Sequence, residues 1–175
     1  YDPAMARKLL AEAGYPNGIK LDMYSSVGRY TLDKDISLAI ANNMKAAGID
    51  VNLNLWESTK WVQGLMKKTY PLSYQEFGNT VFDPEGLMIF ALHTKAFWSF
   101  YSNPQVDKLI DESTAIADPK QRDVHFHKID RLLHEDASHL FLWENKIVFG
   151  VKDKLNWKPA SGDMWFKFWN ASWDK

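Results

Sequence analysis

The sequence predicts an α/β protein with a mixed, mostly parallel sheet that is flanked by helices. Helix-like and strand-like patterns alternate along the first half of the chain, as they do in βαβ units. Several helix-like patterns begin at an Asp-Pro or Asn-Pro pair, in which the first side chain caps the helix and the proline fits its first turn. With 175 residues, of which 46% are hydrophobic, the chain has enough apolar side chains for one domain with a core.

Periodicity and glycine stops divide the N-terminal part into helices and strands. Alternating apolar and polar residues mark the strands, and apolar residues three or four positions apart mark the helices. The predicted elements are a helix from Asp2 to Gly14, a strand over 19–24, a loop over 25–30, a helix from Thr31 or Leu32 to Gly48, a strand over 49–55 and a helix capped by Ser58. The order strand, helix, strand predicts that the strands run parallel.

A third strand is predicted over 70–77, at the centre of the sheet. Gly78 frees the backbone after it, and the next helix begins at Asp83-Pro84. Ligands of open α/β sheets sit where loops leave the carboxyl ends of strands, so residues 77–80 are predicted to form a ligand-facing rim. The alternative is an ordinary connection between a strand and a helix, and the spacing alone leaves both open.

The C-terminal half carries further helices and many aromatic residues. Helices are predicted from Asn103-Pro104 and from Asp118-Pro119, and extended segments over 140–143 and 147–151. A loop over 94–102 is dense in aromatic residues, which favours a small core beneath the loop over a stacking platform for a ligand. The tail over 156–175 is rich in tryptophan and needs a surface to pack on.

Composition and motifs argue against several functional classes. The net charge of −1 gives no electrostatic footprint for nucleic acid, and the absence of cysteine removes disulfides and thiolate sites. No apolar run has the length that a bilayer span needs. There is no Gly-x-Ser-x-Gly elbow and no phosphate-binding glycine loop, and His134 and His139 are one residue too far apart for the zinc-binding helix motif. We therefore expect no enzymatic activity, no metal and no cofactor.

Four sequence blocks carry a resemblance to a known family. They are Tyr-Asp-Pro-x-x-Ala-x-x-Leu-Leu-Ala-Glu-Ala-Gly-Tyr over 1–15, Ala-Gly-Ile-Asp-Val-Asn-Leu over 47–53, Tyr-Ser-Asn-Pro-Gln-Val-Asp-Lys-Leu-Ile over 101–110, and Asp-Pro-x-x-Arg over 118–122 followed by His-Glu-Asp-Ala over 134–137. In this order they resemble the second lobe of the bacterial family 5 extracellular solute-binding proteins, the oligopeptide, dipeptide and nickel type. The resemblance covers essentially the whole chain.

The resemblance implies one lobe of a type II periplasmic-binding-protein fold, which closes on a solute and delivers it to an ABC permease in the membrane. It implies that residues 1–139 form the second lobe and that 140–175 cross over to complete a first lobe encoded upstream, together with a signal sequence. The expected location is periplasmic or extracellular, free or lipid-anchored. In the isolated chain we expect the tail to be displaced, packed on the lobe or exchanged with a neighbouring molecule.

The resemblance also places a ligand-facing wall on the loop over 25–30 and the rim over 77–80. Trp61 lies near a position where the family often has an aromatic contact, and the planar fork of Arg29 suits a carboxylate or phosphate, although a solvated loop arginine is the alternative. The predicted ligand-binding residues are Ser26, Arg29, Tyr30, Trp61, Phe77, Gly78, Asn79 and Thr80.

One departure from the family bears on the solute. Peptide-binding relatives often carry an acidic residue in a Trp-x-Ala-Asp type motif on this rim, where it pairs with the α-amino group of the peptide. The aligned residue here is Thr80, which carries no charge, and a buried ammonium without a partner is costly. This favours sugars, opine-like compounds or other polar solutes over simple peptides, unless Glu76 faces the cleft instead.

Two other functional classes stay open at this stage. A carbohydrate-recognition module would also use an aromatic platform, but such modules are usually β-sandwiches, which do not alternate strands with helices. A hydrolase would need an acid and a base that converge, and the sequence offers no such pair.

Overall fold

The computed structural model describes residues 1–78, 83–146, 148–159 and 167–174. The chain forms two compact units, residues 1–76 and residues 77–175, and each is described by itself. This division differs from the boundary predicted between residues 139 and 140. That boundary concerns the architecture of a two-lobed protein and stays a prediction.

The first unit contains three helices and three strands. Their bounds are α1 Pro3–Glu12, β1 Ile19–Val27, α2 Asp33–Ala46, β2 Ile49–Glu57, α3 Ser58–Met66 and β3 Leu72–Ser73. The side chain of Asp2 caps α1 by accepting a hydrogen bond from the N–H of Met5 at 2.9 Å, as the Asp-Pro pair predicts. Helices α2 and α3 pack on the sheet, so the predicted α/β class with a helix-flanked parallel sheet is confirmed.

The sheet of the first unit is parallel and has the strand order β2-β1-β3. Strands β1 and β2 stay in register over their full length, from Ile19 opposite Ile49 to Val27 opposite Glu57. Strand β3 pairs with β1 over only two residues. The strand predicted at the centre of the sheet is therefore short and lies at an edge, and β1 is central, because both neighbours pair with β1.

Two predicted boundaries need correction at the carboxyl edge of the sheet. The predicted loop over 25–30 begins later, because residues 25–27 continue β1 in register with residues 55–57 of β2. Helix α3 is capped by Glu57 and not by Ser58: the Glu57 carboxylate accepts hydrogen bonds from the N–H groups of Thr59 and Lys60. The longer side chain of Glu57 therefore makes the capping hydrogen bonds that were expected from Ser58.

Aromatic stacking organises the core of the first unit. The rings of Tyr24 and Tyr70 stack with centroids 4.2 Å apart, and Tyr70 donates a hydrogen bond to the carbonyl of Trp61 at 3.0 Å. A Cβ atom at position 64 would lie 1.9 Å from the Tyr70 hydroxyl oxygen, so this close approach requires Gly64. The hydroxyl of Tyr70 thereby ties the segment that leads into β3 to helix α3.

The second unit is built around a separate helical core. Its elements are α4 Pro84–Leu87, a π-helical turn Met88–Leu92, α5 Pro104–Ser113, α6 Pro119–Glu135 and the strands β4 Leu155–Asn156 and β5 Ser172–Trp173. Helices α5 and α6 pack together, and the buried cluster consists of Met88, Leu92, Val106, Ile110, Phe126, Ile129 and Leu133. The three helix starts predicted from Asx-Pro pairs in this unit all occur.

The C-terminal segment contains less regular structure than the sequence predicts. Residues 140–146 and 148–154 form no strand, whereas β4 and β5 make a two-residue antiparallel pair. Trp157 is buried, and its indole N–H donates to the carbonyl of Lys167 at 2.8 Å, while its ring lies 5.4 Å from that of Phe168. Trp169 and Trp173 are exposed. None of the helices within the described ranges has the length and apolar character to cross a bilayer.

Candidate functional site

The candidate site lies at the carboxyl edge of the parallel sheet in the first unit. Because β1, β2 and β3 run in the same direction, the segments that follow them leave from one edge. These segments are residues 28–32 after β1, the start of α3 after β2, and residues 74–76 after β3. We call this edge, together with the side chains of these three segments, the rim of the first unit; it is distinct from the predicted rim over 77–80.

Asp33 holds the loop between β1 and α2 in place. Its carboxylate oxygens accept hydrogen bonds from the N–H groups of Gly28 at 3.1 Å, Arg29 at 3.0 Å and Tyr30 at 3.2 Å. The hydroxyl of Ser26 donates to the same carboxylate at 3.0 Å, and the N–H of Lys34 donates at 2.8 Å. The Asp33 residue is only 3% exposed, and these five groups donate hydrogen bonds to its carboxylate.

The local sequence makes this closed loop possible. Gly28 adopts a φ of +79°, which glycine reaches without steric cost, and the loop then turns through Leu32 at a φ of 57° into the first turn of α2. Beneath the loop, the buried hydroxyl of Ser37 donates to that of Ser25 at 2.7 Å. Sequence reasoning missed Asp33, although an aspartate in the first turn of a predicted helix, soon after a glycine, is the available signal.

The environment of Asp33 favours the charged carboxylate. Burial alone would raise the pKa of this group, but the donors of the loop, the N–H of Tyr30 foremost, outweigh burial and hold the pKa below its ordinary value. The aspartate is therefore ionised at neutral pH, and its charge is met by main-chain and hydroxyl donors.

Arg29 extends from this loop and lies against aromatic rings. Its guanidinium carbon is 5.4 Å from the ring centroid of Tyr30 and 5.6 Å from that of Trp61. One guanidinium N–H group donates to the hydroxyl of Ser58 at 3.3 Å. The Arg29 residue is exposed, so this cation is positioned by stacking and stays open to solvent.

Trp61 and Tyr74 lie beneath the exposed part of the rim. Trp61 is 0% exposed, and its buried indole N–H has no hydrogen-bond partner among the described residues. The ring of Tyr30 makes edge contacts with Trp61 at 5.9 Å and with Tyr74 at 6.1 Å. The Tyr74 hydroxyl donates to the carboxylate of Glu76 at 2.5 Å, and the pKa of Tyr74 is raised by burial and by this carboxylate.

The structure thus brings together four of the predicted site residues, Ser26, Arg29, Tyr30 and Trp61. Ser26 is buried and supports the loop through Asp33, and Trp61 supports Arg29 and Tyr30 from below. Arg29 is exposed and Tyr30 is half-buried, so these two form the solvent-facing part of the group. Their role in ligand binding stays a prediction.

The other predicted residues belong to the second unit or are not described. Phe77 makes edge contacts with Phe90 at 6.1 Å and with Trp98 at 6.3 Å, and Trp98 contacts Phe97 at 4.8 Å. These rings contact one another, but Phe77, Phe90 and Phe97 are exposed, so they form a surface cluster and not the small core that was predicted beneath the loop. Gly78 is exposed, and Asn79 and Thr80 lie outside the described residues.

A second charged cluster lies in the second unit. Arg122 donates to both carboxylate oxygens of Asp83, at 2.7 and 2.9 Å, and also to Glu85. The hydrogen bonds from Arg122 lower the pKa of Asp83. In the described parts of the chain, no group of three or more histidine, aspartate or glutamate side chains is arranged to hold a metal ion.

Comparison with known proteins identifies the family. The model of the bacterial extracellular solute-binding proteins, family 5 Middle, matches residues 1–99. The chain is 26% identical over 183 aligned residues to the glutathione-binding protein GsiB of Pectobacterium atrosepticum, an alignment that covers 98% of this chain and 35% of the relative. It is 25% identical over 169 residues to the oligopeptide-binding protein AppA of Bacillus subtilis, covering 82% of this chain and 29% of the relative.

A solved structure shows the same fold. The periplasmic binding protein DppA from Helicobacter pylori, determined in complex with the peptide STSA, superimposes with a TM-score of 0.69 at 23% sequence identity, over 79% of this chain and 28% of that protein. The chain spans about a third of the length of the curated relatives it matches. The alternative of a β-sandwich carbohydrate-recognition module is not supported, because the first sheet is parallel and its strands alternate with helices.

The family model covers more than half of the chain, and the fold agrees with it. The matched range contains the first two of the sequence blocks that resembled this family, and the predicted membership is confirmed. The chain belongs to the bacterial extracellular solute-binding proteins of family 5.

Proposed function

We propose that this chain is part of the substrate-binding component of an ABC importer, which captures a small polar solute between two lobes. The observation that carries the proposal is the rim at the carboxyl edge of the parallel sheet, in a chain of family 5. There Asp33 fixes the loop over 28–30, which carries the exposed Arg29 and the half-buried Tyr30.

The proposed mechanism needs no chemistry on the solute. A solute that contacts both lobes adds binding free energy only to the closed state, so binding shifts the population from open to closed. A loop that is already held in place favours solute binding, because the loop loses fewer conformations when the solute binds. The relatives found are named as binding proteins, which agrees with a function other than catalysis.

We infer a peptide-like or other small polar solute. The names of two relatives mention glutathione and oligopeptides, and these suggest peptide-type solutes for this chain too. Thr80 carries no charge for a peptide amino group, which favours sugars and opine-like compounds. Because this residue lies outside the described ranges, that solute class stays a competing prediction.

The wider organisation follows from this proposal. Residues 1–139 would form the second lobe, residues 140–175 would cross to a first lobe of the same protein, and an ABC permease would receive the solute. The protein would work in the periplasm or outside the cell, either free or lipid-anchored. No nucleic acid partner is proposed, since the net charge is −1.

Calorimetric titration of the complete two-lobed protein tests the function. A mixed pool of tri- to pentapeptides at physiological salt is expected to bind with micromolar or tighter affinity. Binding that disappears when the peptides are N-acetylated would indicate an amino-group anchor and contradict the argument from Thr80. Folded protein that gives no heat with peptides, and also none with sugar and opine pools, would contradict the proposed function.

A further inference from the structure

We propose that His93 is a pH-sensitive switch for the aromatic loop over 94–102. The histidine stands where the π-helical turn Met88–Leu92 ends and the loop begins, and it is only 9% exposed. The switch lies within the second unit and does not depend on the identity of the solute. Solute binding and the switch can therefore be tested separately.

The ring of His93 is neutral in the structure and carries its hydrogen on Nε2. The Nδ1 atom lies 3.0 Å from the main-chain nitrogen of Lys95 and accepts a hydrogen bond from that N–H group. A main-chain N–H group can only donate, so Nδ1 is the unprotonated nitrogen of the ring. The other nitrogen, Nε2, lies 3.5 Å from a carboxylate oxygen of Asp111 on α5.

Two consecutive main-chain N–H groups attach the start of the loop to side chains. Lys95 donates to His93, and Thr94 donates to a carboxylate oxygen of Asp107 on α5 at 2.8 Å. The same oxygen of Asp107 lies 3.7 Å from Nδ1 of His93. Burial alone would raise the pKa of Asp107, but the hydrogen bonds from Thr94 outweigh burial and lower this pKa. A charged acceptor therefore stands beside the ring nitrogen that holds Lys95.

A second proton on the ring would reverse the role of Nδ1. Histidine ordinarily changes its charge between about pH 5 and 8. An Nδ1–H group cannot accept from Lys95, and two N–H groups that face each other repel. The new donor would instead be attracted by the negative charges of Asp107 and Asp111. The side chain of Lys95 is exposed, so water screens its positive charge.

Loss of the hydrogen bond from Lys95 would release the first part of the loop. The later part has its own attachment, because the buried hydroxyl of Ser99 accepts from the N–H of Tyr101 at 3.2 Å and donates to its carbonyl at 3.0 Å. Phe97 and Trp98 lie between the two attachment points, with ring centroids 4.8 Å apart. We expect acid to move these two rings of the surface cluster, while the helical core of the unit stays unchanged.

Nuclear magnetic resonance of the complete two-lobed protein tests the switch. The histidine rings and the lysine amides are labelled with ¹⁵N, and the protein is titrated from about pH 8 to about pH 5. The His93→Gln variant identifies the ring signals of His93, and Lys95→Arg identifies the amide signal of Lys95. The control is His127→Gln, which removes an exposed histidine that lies 3.5 Å from Asp123 on α6. Circular dichroism confirms that each variant is folded.

At neutral pH we expect the ring signals of an unprotonated Nδ1 and a protonated Nε2 in His93. In acid both nitrogens should carry a proton, and the Lys95 amide should shift with the same midpoint and lose about tenfold of its protection from hydrogen exchange. The control should behave like the wild type, and in His93→Gln the Lys95 amide should show no such midpoint, because glutamine offers an acceptor that does not titrate.

Three outcomes would overturn the switch. The first is a Lys95 amide that keeps its shift and protection while His93 gains its second proton. The second is the same titration of Lys95 in folded His93→Gln. The third is a His93 ring that keeps a single proton over the whole range.

Discussion

Asp33 in the first unit and Asp83 in the second unit both stand at the start of a helix, yet different donors satisfy their carboxylates. Asp33 receives five hydrogen bonds, four from main-chain N–H groups and one from the hydroxyl of Ser26. Asp83 receives two from the side chain of Arg122 and one from the N–H of Glu85 at 2.9 Å. Asp33 is therefore hydrogen-bonded mainly by the backbone, and Asp83 mainly by the cation Arg122.

This difference decides what the nearby arginine can do. In the second unit the acids engage Arg122, and the cluster ties α4 to α6. In the first unit, hydrogen bonds from the loop satisfy the carboxylate of Asp33, and the guanidinium of Arg29 on the same loop donates to Ser58 instead. A charged side chain whose neighbour is already satisfied is a better candidate for ligand binding than one in a closed ion pair.

The largest expected loss of stability is that of the Asp33→Asn variant. The substitution replaces one acceptor oxygen by an NH₂ group that faces N–H donors of the loop, so several hydrogen bonds to a charged acceptor are lost at a buried position. We expect the free energy of unfolding of the 175-residue chain to fall by about 3 kcal/mol in urea titrations. Asp50→Asn, at an exposed position on β2, is the matched control and should change it by less than about 0.5 kcal/mol.

Equal losses in the two variants would show that the loop does not depend on the charge of Asp33. The comparison between backbone-satisfied and arginine-satisfied acids would then lose its basis.

The pH dependence of stability should distinguish the wild type from Asp33→Asn. The pKa of Asp33 is lower in the folded chain than in the unfolded one, so its contribution to stability is fully present above the unfolded pKa and is lost as pH falls through the folded pKa. The difference in unfolding free energy between wild type and Asp33→Asn should be constant from about pH 5 to 7 and shrink below about pH 4. Urea titrations across this range measure it, and a difference that grows toward low pH would contradict the assignment.

A smaller loss is expected for Asp83→Asn. Asparagine keeps the helix cap but removes the charge that Arg122 binds. The Asp83 side chain is 39% exposed, so water screens the pair, and we expect a loss of about 1 kcal/mol that shrinks in high salt. The Asp33→Asn loss should change little with salt. Urea titrations at low and high sodium chloride compare the two, and the opposite salt dependence would reverse the comparison.

The smallest effect on stability is expected for Arg29→Gln. The guanidinium is exposed and stacks on rings without an ionic partner in the described chain, so its removal should change the unfolding free energy by about 0.5 kcal/mol or less. A loss as large as that of Asp33→Asn would indicate that Arg29 holds the rim together. Thermal and urea unfolding of Arg29→Gln and of the wild type provide the measurement.

Local signals predicted the fold well. Asp2-Pro3, Asn103-Pro104 and Asp118-Pro119 begin helices, because capping and proline geometry depend only on neighbouring residues. The alternation over 19–24 and 49–55 predicted the parallel pair, since both strands belong to one βαβ unit. These features need no knowledge of distant contacts.

The details of the candidate site depend on contacts that a sequence pattern does not contain. The length of β3 depends on how far its backbone pairs with β1, and the end of β1 depends on the register with β2. The helical spacing of Trp61 predicts that its ring is buried, as it is, but the residues that cover the ring, Tyr30 and Arg29, come from a loop that the pattern does not connect to it. Asp33 was missed for the same reason, because its donors come from a loop whose shape the sequence does not specify.

The way Asp33 holds its loop has a consequence for divergence among related proteins. Its contacts to residues 28–30 are made with main-chain N–H groups, which every residue except proline possesses. The side chains at positions 29 and 30 can therefore change while the path of the loop is kept. If the rim binds the solute as proposed, substitutions at its surface can change the solute while the scaffold that supports the loop stays the same.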